Sequence, residues 1–343
     1  MLAALLAGWW CPSLWAGRYA SAWFDNDPSV VEPLADGLYA SIESPLNADA
    51  YGTGSARFDS EWHFGTYAMA ALAFAQLGQL DRAEVALEHM LDPSSHAFDT
   101  EAFGVHVEDD PQGDHAALLG YGNLALSVYR DAGGPRFHDV NDRWTARLDA
   151  AFQQRDLLYT YPGERYPVDN AAGLASVLVH ARATGEPCPA WVEGWMQRFE
   201  DQWVVDGLLV QNALEPDLVR GSGTTLAAYF FAHAELPLSE TLSEGAMEQL
   251  YDTTWRFGAL REYPVGVEGN GDIDSGPLIL DYSISASGFG LSNARMRGDR
   301  SRFRGLFSTV WVFGAPTLDR TQFISGGPLG NAILLAMMTG PTP

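Results

Sequence analysis

The chain has 343 residues, 47% of them hydrophobic, and a formal net charge of −24 from 44 acidic and 20 basic residues. That length and apolar content allow a large globular core. All 20 basic residues are arginine, which excludes a lysine Schiff base, and the negative charge disfavours nucleic acid and anionic membranes as partners. Cys11 and Cys188 are too few for a disulfide framework or a four-thiolate zinc site.

The N-terminal stretch from Met1 to Trp10 is apolar, but it is short and lacks the basic residues that begin a signal peptide. We expect residues 1–27 to form an N-terminal extension, which could be the remainder of an export signal if the natural start lies upstream. No apolar run reaches 18 residues, so no membrane span is expected. The compartment stays open between the cytoplasm and export.

Helical periodicity along the rest of the chain predicts pairs of helices, each an almost wholly apolar helix followed by an amphipathic one. A single amphipathic helix comes first, at 29–43. The predicted pairs follow at 59–78 and 80–91, 116–130 and 141–154, 171–183 and 189–203, 225–234 and 239–257, and 278–296 and 300–311, with a last apolar helix at 328–338.

The openings of the apolar helices recur near positions 59, 113, 168, 221, 274 and 325, at intervals of 51 to 55 residues. Such a period is typical of a repeated supersecondary unit. Six apolar and six amphipathic helices favour a closed ring, because an open solenoid needs polar repeats at its ends. We therefore expect an all-α fold, an (α/α)6 toroid with six inner and six outer helices, as a single catalytic domain over residues 28–343.

Polar residues stand at each of these openings, and many are suited to cap a helix. Asp59 or Ser60 is a plausible cap for the first apolar helix, and Asp274 or Ser275 for the helix at 278–296. In a toroid the inner helices run in one direction, so these residues meet at one mouth. Capping remains the structural alternative for each of them taken singly.

Four carboxylates at this mouth are the candidate catalytic residues, namely Asp272, Asp274, Asp169 and Glu61. Either Asp272 or Asp274 would form one member of an acid–base pair, with Glu61 or Asp169 as the other, because neighbouring carboxylates push their pKa values apart. The candidate substrate-binding residues are His63, Trp62, Asp114, His115, Tyr121, Tyr166, Asn170, Arg220, Arg261, Tyr263 and Tyr282. The aromatic ones suit stacking on sugar rings or enclosing a hydrocarbon, although Trp62 and Tyr282 could equally be core aromatics.

We expect neither a metal nor another cofactor. His63, His115 and nearby aspartates could supply ligands, but no histidine pair has the i, i+4 spacing of a helical zinc site. The sequence has no Gly-x-Ser-x-Gly nucleophile elbow, Walker phosphate loop or dinucleotide fingerprint after a strand.

Three segments resemble the bacterial linalool dehydratase/isomerase family, in order and at low identity over roughly residues 55–300. They are 120–124 (GYGNL), 166–170 (YPVDN) and 271–276 (GDIDSG) with the apolar helix that follows. The resemblance implies the same (α/α)6 ring and cofactor-free acid–base chemistry on an allylic terpene alcohol. Asp169 and Asn170 match the family directly. Tyr166 and Ala175 stand where the family has cysteines, and Tyr121 replaces its active-site histidine, so the resemblance implies the fold and the place of the site more than the reaction.

Three functions remain open. The leading hypothesis is an enzyme that cleaves a C–O bond with paired carboxylates, as a glycoside hydrolase or related carbohydrate-active enzyme acting on a carbohydrate or other small molecule. The second is a dehydratase or isomerase of small apolar alcohols. The third is a binding protein without turnover, in which every mouth acid serves as a helix cap. Oligomeric state is left open.

Overall fold

The protein, described as a computed structural model over residues 12–342 with the side chain of Ala50 left out, is mostly helical. Residues 1–11, with the apolar stretch and Cys11 discussed above, lie outside the described residues. The helices are α1 (Ala20–Phe24), α2 (Pro28–Ile42), α3 (Ala56–Gln76), α4 (Leu80–Met90), α5 (Ala97–Phe103), α6 (Ala116–Asp131), α7 (His138–Phe152), α8 (Pro167–Thr184), α9 (Val192–Trp203), α10 (Gly221–His233), α11 (Pro237–Gln249), α12 (Ile284–Met296), α13 (Arg300–Gly314) and α14 (Gly327–Thr339).

Five short strands complete the described part of the chain. An antiparallel pair joins β1 (Val204–Val205) to β2 (Leu208–Leu209), and an antiparallel sheet has the order β3 (Tyr251–Thr254), β4 (Phe257–Arg261) and β5 (Tyr282–Ser283). Among the described residues, no helix has both the length and the apolar character that crossing a membrane requires.

The six most apolar helices contact one another in a closed series. Along the chain α3 packs on α6, α6 on α8, α8 on α10, α10 on α12 and α12 on α14, and α14 packs back on α3. Their facing sides are rich in small residues, which let the backbones approach closely. A Cβ at Gly120 in α6 would lie 2.8 Å from the carbonyl oxygen of Asp169 in α8, so this contact requires glycine.

Helices α3 and α14 run side by side in the same direction. The side chain of Leu329, near the start of α14, lies 3.5 Å from the position of a Cβ on Gly65 in the middle of α3. At their ends, Gln76 Nε2 donates to the carbonyl of Ala336 at 3.0 Å and to the hydroxyl of Thr339 at 3.1 Å. The N-terminal ends of these two helices therefore lie at the same end of the molecule.

Helices α8 and α10 also share their direction, since Arg182 near the end of α8 donates to the carbonyl of His233 at the end of α10 at 2.8 Å. The N-terminal part described from residue 12 packs on this body: the buried Arg295 of α12 donates to the carbonyls of Trp23 at 3.2 Å and Phe24 in α1.

Several predicted helix boundaries are wrong. Helix α3 begins at Ala56 with Ser55 as its N-cap, so neither Asp59 nor Ser60 caps it. Asp59 instead accepts a 2.7 Å bond from the backbone N–H of Thr53, which closes the preceding turn.

The predicted helix at 278–296 begins only at Ile284, where Ser283 caps it by accepting from the N–H of Ala286 at 3.0 Å. Residues 278–281 form a turn instead, and Ile279 and Tyr282 exchange backbone hydrogen bonds across it. Asp274 and Ser275 therefore do not cap this helix. The pairing of β5 with β4 holds Tyr282 and Ser283 in a strand, although apolar periodicity had assigned both to a helix.

The predicted helix at 239–257 ends at Gln249, and the chain then forms the hairpin of β3 and β4. Trp255 and Arg256 at its turn both have positive φ, which a helix does not allow. The β-branched Thr253 and Thr254 favour a strand over a helix.

Candidate active site

Three carboxylates from distant parts of the chain interact electrostatically. Glu61 lies in the second turn of α3, Asp169 in the first turn of α8, and Asp274 in the loop between β4 and β5. Burial raises the pKa of Glu61 to about 8, and the negative charges of Asp274 and Asp169 raise it further. Burial also raises the pKa of Asp169 to about 7, again with a contribution from Asp274. The three carboxyls therefore influence one another's ionisation.

Two of the three carboxylates reach solvent. Asp274 is exposed to solvent, yet desolvation raises its pKa to about 6. Glu61 is only half-buried and shows the same effect more strongly. A carboxyl is both exposed and raised in pKa when water can reach it although protein surrounds it on most sides. Glu61 and Asp274 are therefore within reach of solvent although protein surrounds much of each carboxyl.

Helices α12 and α14 border open space. Gly288 in α12 is buried, and a side-chain carbon added there would meet no atom within 4 Å. The same is true of the partly exposed Gly330 in α14. Each of the two helices therefore has a glycine beside space that no neighbouring atom fills within 4 Å.

Each of the two helix-borne carboxylates is held by hydroxyl groups. Tyr161 donates to Glu61 Oε2 at 2.7 Å, and Thr160 donates to Asp169 Oδ2 at 2.6 Å. Tyr121 also hydrogen-bonds to Asp169, and its ring packs edge-on against Phe230 with 5.0 Å between centroids. Burial, followed by the neighbouring carboxylates, raises the pKa of both tyrosines, so both are neutral donors.

Asp272 differs from Asp274 although only one residue separates them. Both of its oxygens accept from the guanidinium of Arg220, and Oδ1 also accepts from the N–H of Asp274 at 3.1 Å and of Ser275 at 2.9 Å. Burial opposes ionisation of Asp272, but Arg220 holds its pKa below the ordinary value. The side chain of Asp274 has no hydrogen-bond partner within residues 12–342, so its carboxyl is free where that of Asp272 is held.

Arg220 links this loop to the helix body. Its Nε donates at 2.7 Å to the buried Glu262, which also accepts from Ser222 at 2.5 Å. The guanidinium of Arg220, a candidate substrate-binding residue, is thus already paired with Glu262 and Asp272. That network fixes the segment carrying Asp274.

Two predicted aromatic residues on α3 lie beside the site. His63 is buried, and its Nε2 contacts the carbonyl of Leu46 at 3.1 Å, while burial lowers its pKa. Trp62 is half-buried, and its ring meets Tyr51 edge-on at 6.4 Å.

Two predicted binding residues at the second and third openings, Asp114 and Asn170, accept hydrogen bonds from backbone N–H groups. Asp114 accepts from the N–H of Tyr159 at 2.9 Å and forms an ion pair with Arg155. Asn170 Oδ1 accepts from the N–H of Leu158 at 2.7 Å. These contacts fix the loop from which Thr160 and Tyr161 reach the carboxylates.

His115 is fully buried, 2.6 Å from Asp99 and 3.3 Å from Asp110 through its two ring nitrogens. Its ring also packs on Phe103, with 4.0 Å between centroids. Its hydrogen-bonding atoms are therefore engaged by these two acids.

The last predicted binding residues lie around the loop after β4. Arg261 binds Asp281 at 3.1 Å and stacks over Tyr282, whose hydroxyl donates to Asp252 at 2.7 Å. Tyr263 donates to the carbonyl of Asn270 at 3.0 Å. Tyr166 donates to Glu164 at 2.8 Å, and the charge of Asp274 contributes to raising its pKa, after burial and Glu164.

Sequence reasoning missed Tyr161 and Thr160 as members of the site. Both lie in the loop before the predicted apolar helix at 171–183. Tyr159 and Tyr161 in that loop were the sequence feature that could have indicated a contribution to the site. Arg57 was also missed; it lies over the Tyr161 ring, 5.6 Å from its centroid, and its charge slightly opposes the rise in the pKa of Glu61.

Within the described part of the chain, no group of three or more histidines, cysteines, aspartates and glutamates is arranged to hold a metal ion. No protein-family model matches the sequence, and no curated protein matches it significantly.

Proposed function

We propose that the protein is a cofactor-free acid–base enzyme that cleaves a C–O bond, as a glycoside hydrolase or related carbohydrate-active enzyme. One observation carries the proposal: the charge of Asp274 raises the pKa of Glu61, and the pKa values of the two carboxyls are about 8 for Glu61 and about 6 for Asp274. Near pH 7 Glu61 holds a proton while Asp274 is ionised. That division supplies one general acid and one base or nucleophile.

The proposal includes an (α/α)6 toroid with the site at its mouth. The closed series of contacts from α3 to α14 and back supports a ring. The shared direction of α3 with α14 and of α8 with α10 supports a common mouth. Carbohydrate-active enzymes are common on this architecture, which is an argument by analogy of fold.

In the proposed reaction, Glu61 gives its proton to the leaving oxygen as the C–O bond breaks, and the bonding electrons stay on that oxygen. Asp274 either attacks the anomeric carbon or takes a proton from the attacking water. In the first case, water deprotonated by Glu61 then releases the sugar; in the second, the proton on Asp274 returns to solvent and Glu61 is reprotonated. The separation of the two carboxyls decides between retention, at about 5.5 Å, and inversion, at about 6.5–9.5 Å.

The surrounding groups have supporting roles in this scheme. Tyr161 orients Glu61 through its hydrogen bond, and Tyr121 and Thr160 hold Asp169. The half-buried ring of Tyr121 offers an aromatic face or edge to a sugar. Asp169, with a pKa of about 7, can exchange a proton with the site.

A dehydratase or isomerase of allylic alcohols is the second candidate. The contact of Tyr121 with Phe230 favours it, because it brings an apolar wall beside the acids, at the position where the resemblance replaces a histidine by Tyr121. Here Glu61 would protonate the hydroxyl, water would leave, and Asp274 would remove a proton from the adjacent carbon. The same two carboxyls thus serve either reaction.

The test is turnover of a panel of nitrophenyl glycosides and of a simple allylic alcohol by the wild type, Glu61→Gln, Asp274→Asn and Glu248→Gln. The last changes an exposed glutamate on α11 and is the matched control. We expect hydrolysis of at least one glycoside, lowered about 100-fold or more by either site variant and unchanged by the control. Alkene formation without hydrolysis would favour the second candidate. Binding of sugars or alcohols without turnover would replace both by a non-catalytic binding protein.

A further inference from the structure

Exposed apolar side chains are concentrated on the loops that lead into the apolar helices. Val265 is 81% exposed and Leu280 82%, both between β4 and α12, and Leu318, before α14, is exposed completely. Leu214 before α10, Ile284 at the start of α12 and Ile324 before α14 are also exposed. The loops that follow these helices, such as 132–137 and 234–237, carry no exposed large hydrophobic residue among those described. Single exposed leucines are normal, but their collection at one end is not.

These loops are neighbours in space. The N–H of Gly221, at the start of α10, donates to the carbonyl of Glu262 at 2.7 Å, and the N–H of Glu262 donates to the carbonyl of Asp281 at 3.2 Å. Arg220 ties the same helix start to Asp272. The loop before α14 is fixed to that helix, because Asn331 binds the backbone of Phe323. The starts of α10 and α12 therefore lie next to each other, and the loop before α14 is held against the start of its own helix.

The turn that carries Leu280 is unfavourable for stability alone. Leu280 and Asp281 both have positive φ, at 53° and 69°. A two-residue turn of this kind is normally built from Asn and Gly, since a side chain in the left-handed region costs about 1–2 kcal/mol. A leucine in that conformation, with its side chain in water, suggests that something outside the chain contacts it.

A second group of exposed aromatics extends this end of the molecule. Trp15 and Phe313 are more than half exposed, and Trp15 lies edge-on to Trp311 at 6.3 Å. The guanidinium of Arg18 lies 4.5 Å from the Trp15 ring centroid, and that of Arg320 lies 4.9 Å from the Tyr19 ring. Tryptophan with arginine is the pairing found where proteins meet lipid headgroups. In sequence this group directly follows the apolar stretch 1–10.

We propose that this end of the protein docks on a zwitterionic lipid surface, with the apolar loop tips among the headgroups. The apolar residues stand on separate protruding tips, which a fluid surface accommodates without the continuous complementary face that a protein partner requires. Arg18 and Arg320 would bind headgroup phosphates. The net charge of −24 favours a zwitterionic over an anionic surface. The proposal does not depend on the reaction proposed above.

The experiment is flotation of the full-length chain with phosphatidylcholine vesicles. The test variant carries Leu280→Asp and Leu318→Asp, two exposed sites at which folding should be unaffected. The matched control carries Pro135→Asp, in a loop, and Pro237→Asp, at the first residue of α11; both positions are exposed at the other end and add the same two charges. We expect the wild type and the control to float with the vesicles and the test variant to lose at least tenfold in bound fraction. Equal thermal melting of the three would show that folding is preserved.

Two outcomes would overturn the proposal. The first is a wild-type chain that stays in the soluble fraction at all vesicle concentrations. The second is a dimer in light scattering that the Leu280→Asp, Leu318→Asp variant dissociates without any vesicle binding, because the occupant would then be a second copy of this chain. Because vesicle binding and substrate turnover are separate readouts, failure of one leaves the other intact.

Discussion

The phenol of Tyr161 donates a 2.7 Å hydrogen bond to Oε2 of Glu61, a residue 100 positions earlier in the chain. Since a donor stabilises the ionised carboxyl, this bond lowers the pKa of Glu61 against the larger effect of burial. We expect Tyr161→Phe to raise the pKa of Glu61 and to move the alkaline limb of the rate profile to higher pH. Tyr129→Phe, which removes a similar bond to Glu84 on α4, is the control. An unmoved alkaline limb in Tyr161→Phe would contradict the role given to Glu61.

The wild-type rate should depend on pH as a bell. Activity requires Asp274 ionised and Glu61 protonated, and their pKa values are about 6 and about 8. We expect kcat/KM to rise through about pH 6 and to fall through about pH 8, with both limbs belonging to the coupled carboxyl cluster. The measurement is kcat/KM from pH 4 to pH 10 on the best substrate. A rate that keeps rising to pH 10 would rule out Glu61 as the acid.

Folding stability should also report the cluster. The pKa of Glu61 is about 8 in the folded protein and near 4.5 when unfolded, so between these values the folded state holds a proton that the unfolded state has lost. Its contribution to stability therefore falls as pH rises from about 4.5 to about 8 and is constant above. Glu61→Gln should remove this fall and be more stable than the wild type at pH 8, by on the order of 2 kcal/mol after allowing for the partial exposure of Glu61. Urea unfolding at pH 5 and pH 8 measures the difference, which should be small at pH 5.

Arg220 should matter more for stability than Asp272, its partner. Arg220→Met leaves the buried Glu262 without its cation, and we expect a loss of about 3–5 kcal/mol. Asp272→Asn removes a carboxylate that is 42% exposed and should cost about 1 kcal/mol or less, because solvent screens that charge. Urea unfolding of both variants tests the order. Equal losses of stability in the two variants would mean that the pairing of Arg220 with Asp272, and not its pairing with Glu262, accounts for the effect.

His115 provides a test of which predicted residues act on substrate. His115→Asn leaves Asp99 buried without its strongest partner and should destabilise the fold by about 3 kcal/mol. We expect kcat of the folded fraction to stay within about twofold, since both ring nitrogens already face acids that hold the loop after α5. His138→Asn, at a less buried histidine, is the control. Lost turnover at unchanged stability would instead place His115 in the reaction.

The sequence was informative where one physical effect dominates. Helices such as α8 and α10 must be buried on all sides, so their apolar character located them to within a few residues. It misled where long-range pairing overrides local pattern: Leu278 to Leu280 are apolar, yet strand β5 pairs with β4 and holds them in a turn. Asp272 and Asp274 could not be told apart locally, because only the folded chain brings Arg220 to one of them. Tyr161 was missed for the same reason.

The contact between α3 and α14 bears on how the chain folds during synthesis. Gln76 can form these hydrogen bonds only after Ala336 and Thr339, which lie 260 and 263 residues later in the chain, have emerged from the ribosome. Until then the side of α3 that packs on α14 has no native neighbour, and the nascent chain exposes it for most of translation. Chaperone dependence during expression is the expected consequence, and a chain truncated before Gly327 should aggregate even though Glu61, Asp169 and Asp274 are all present.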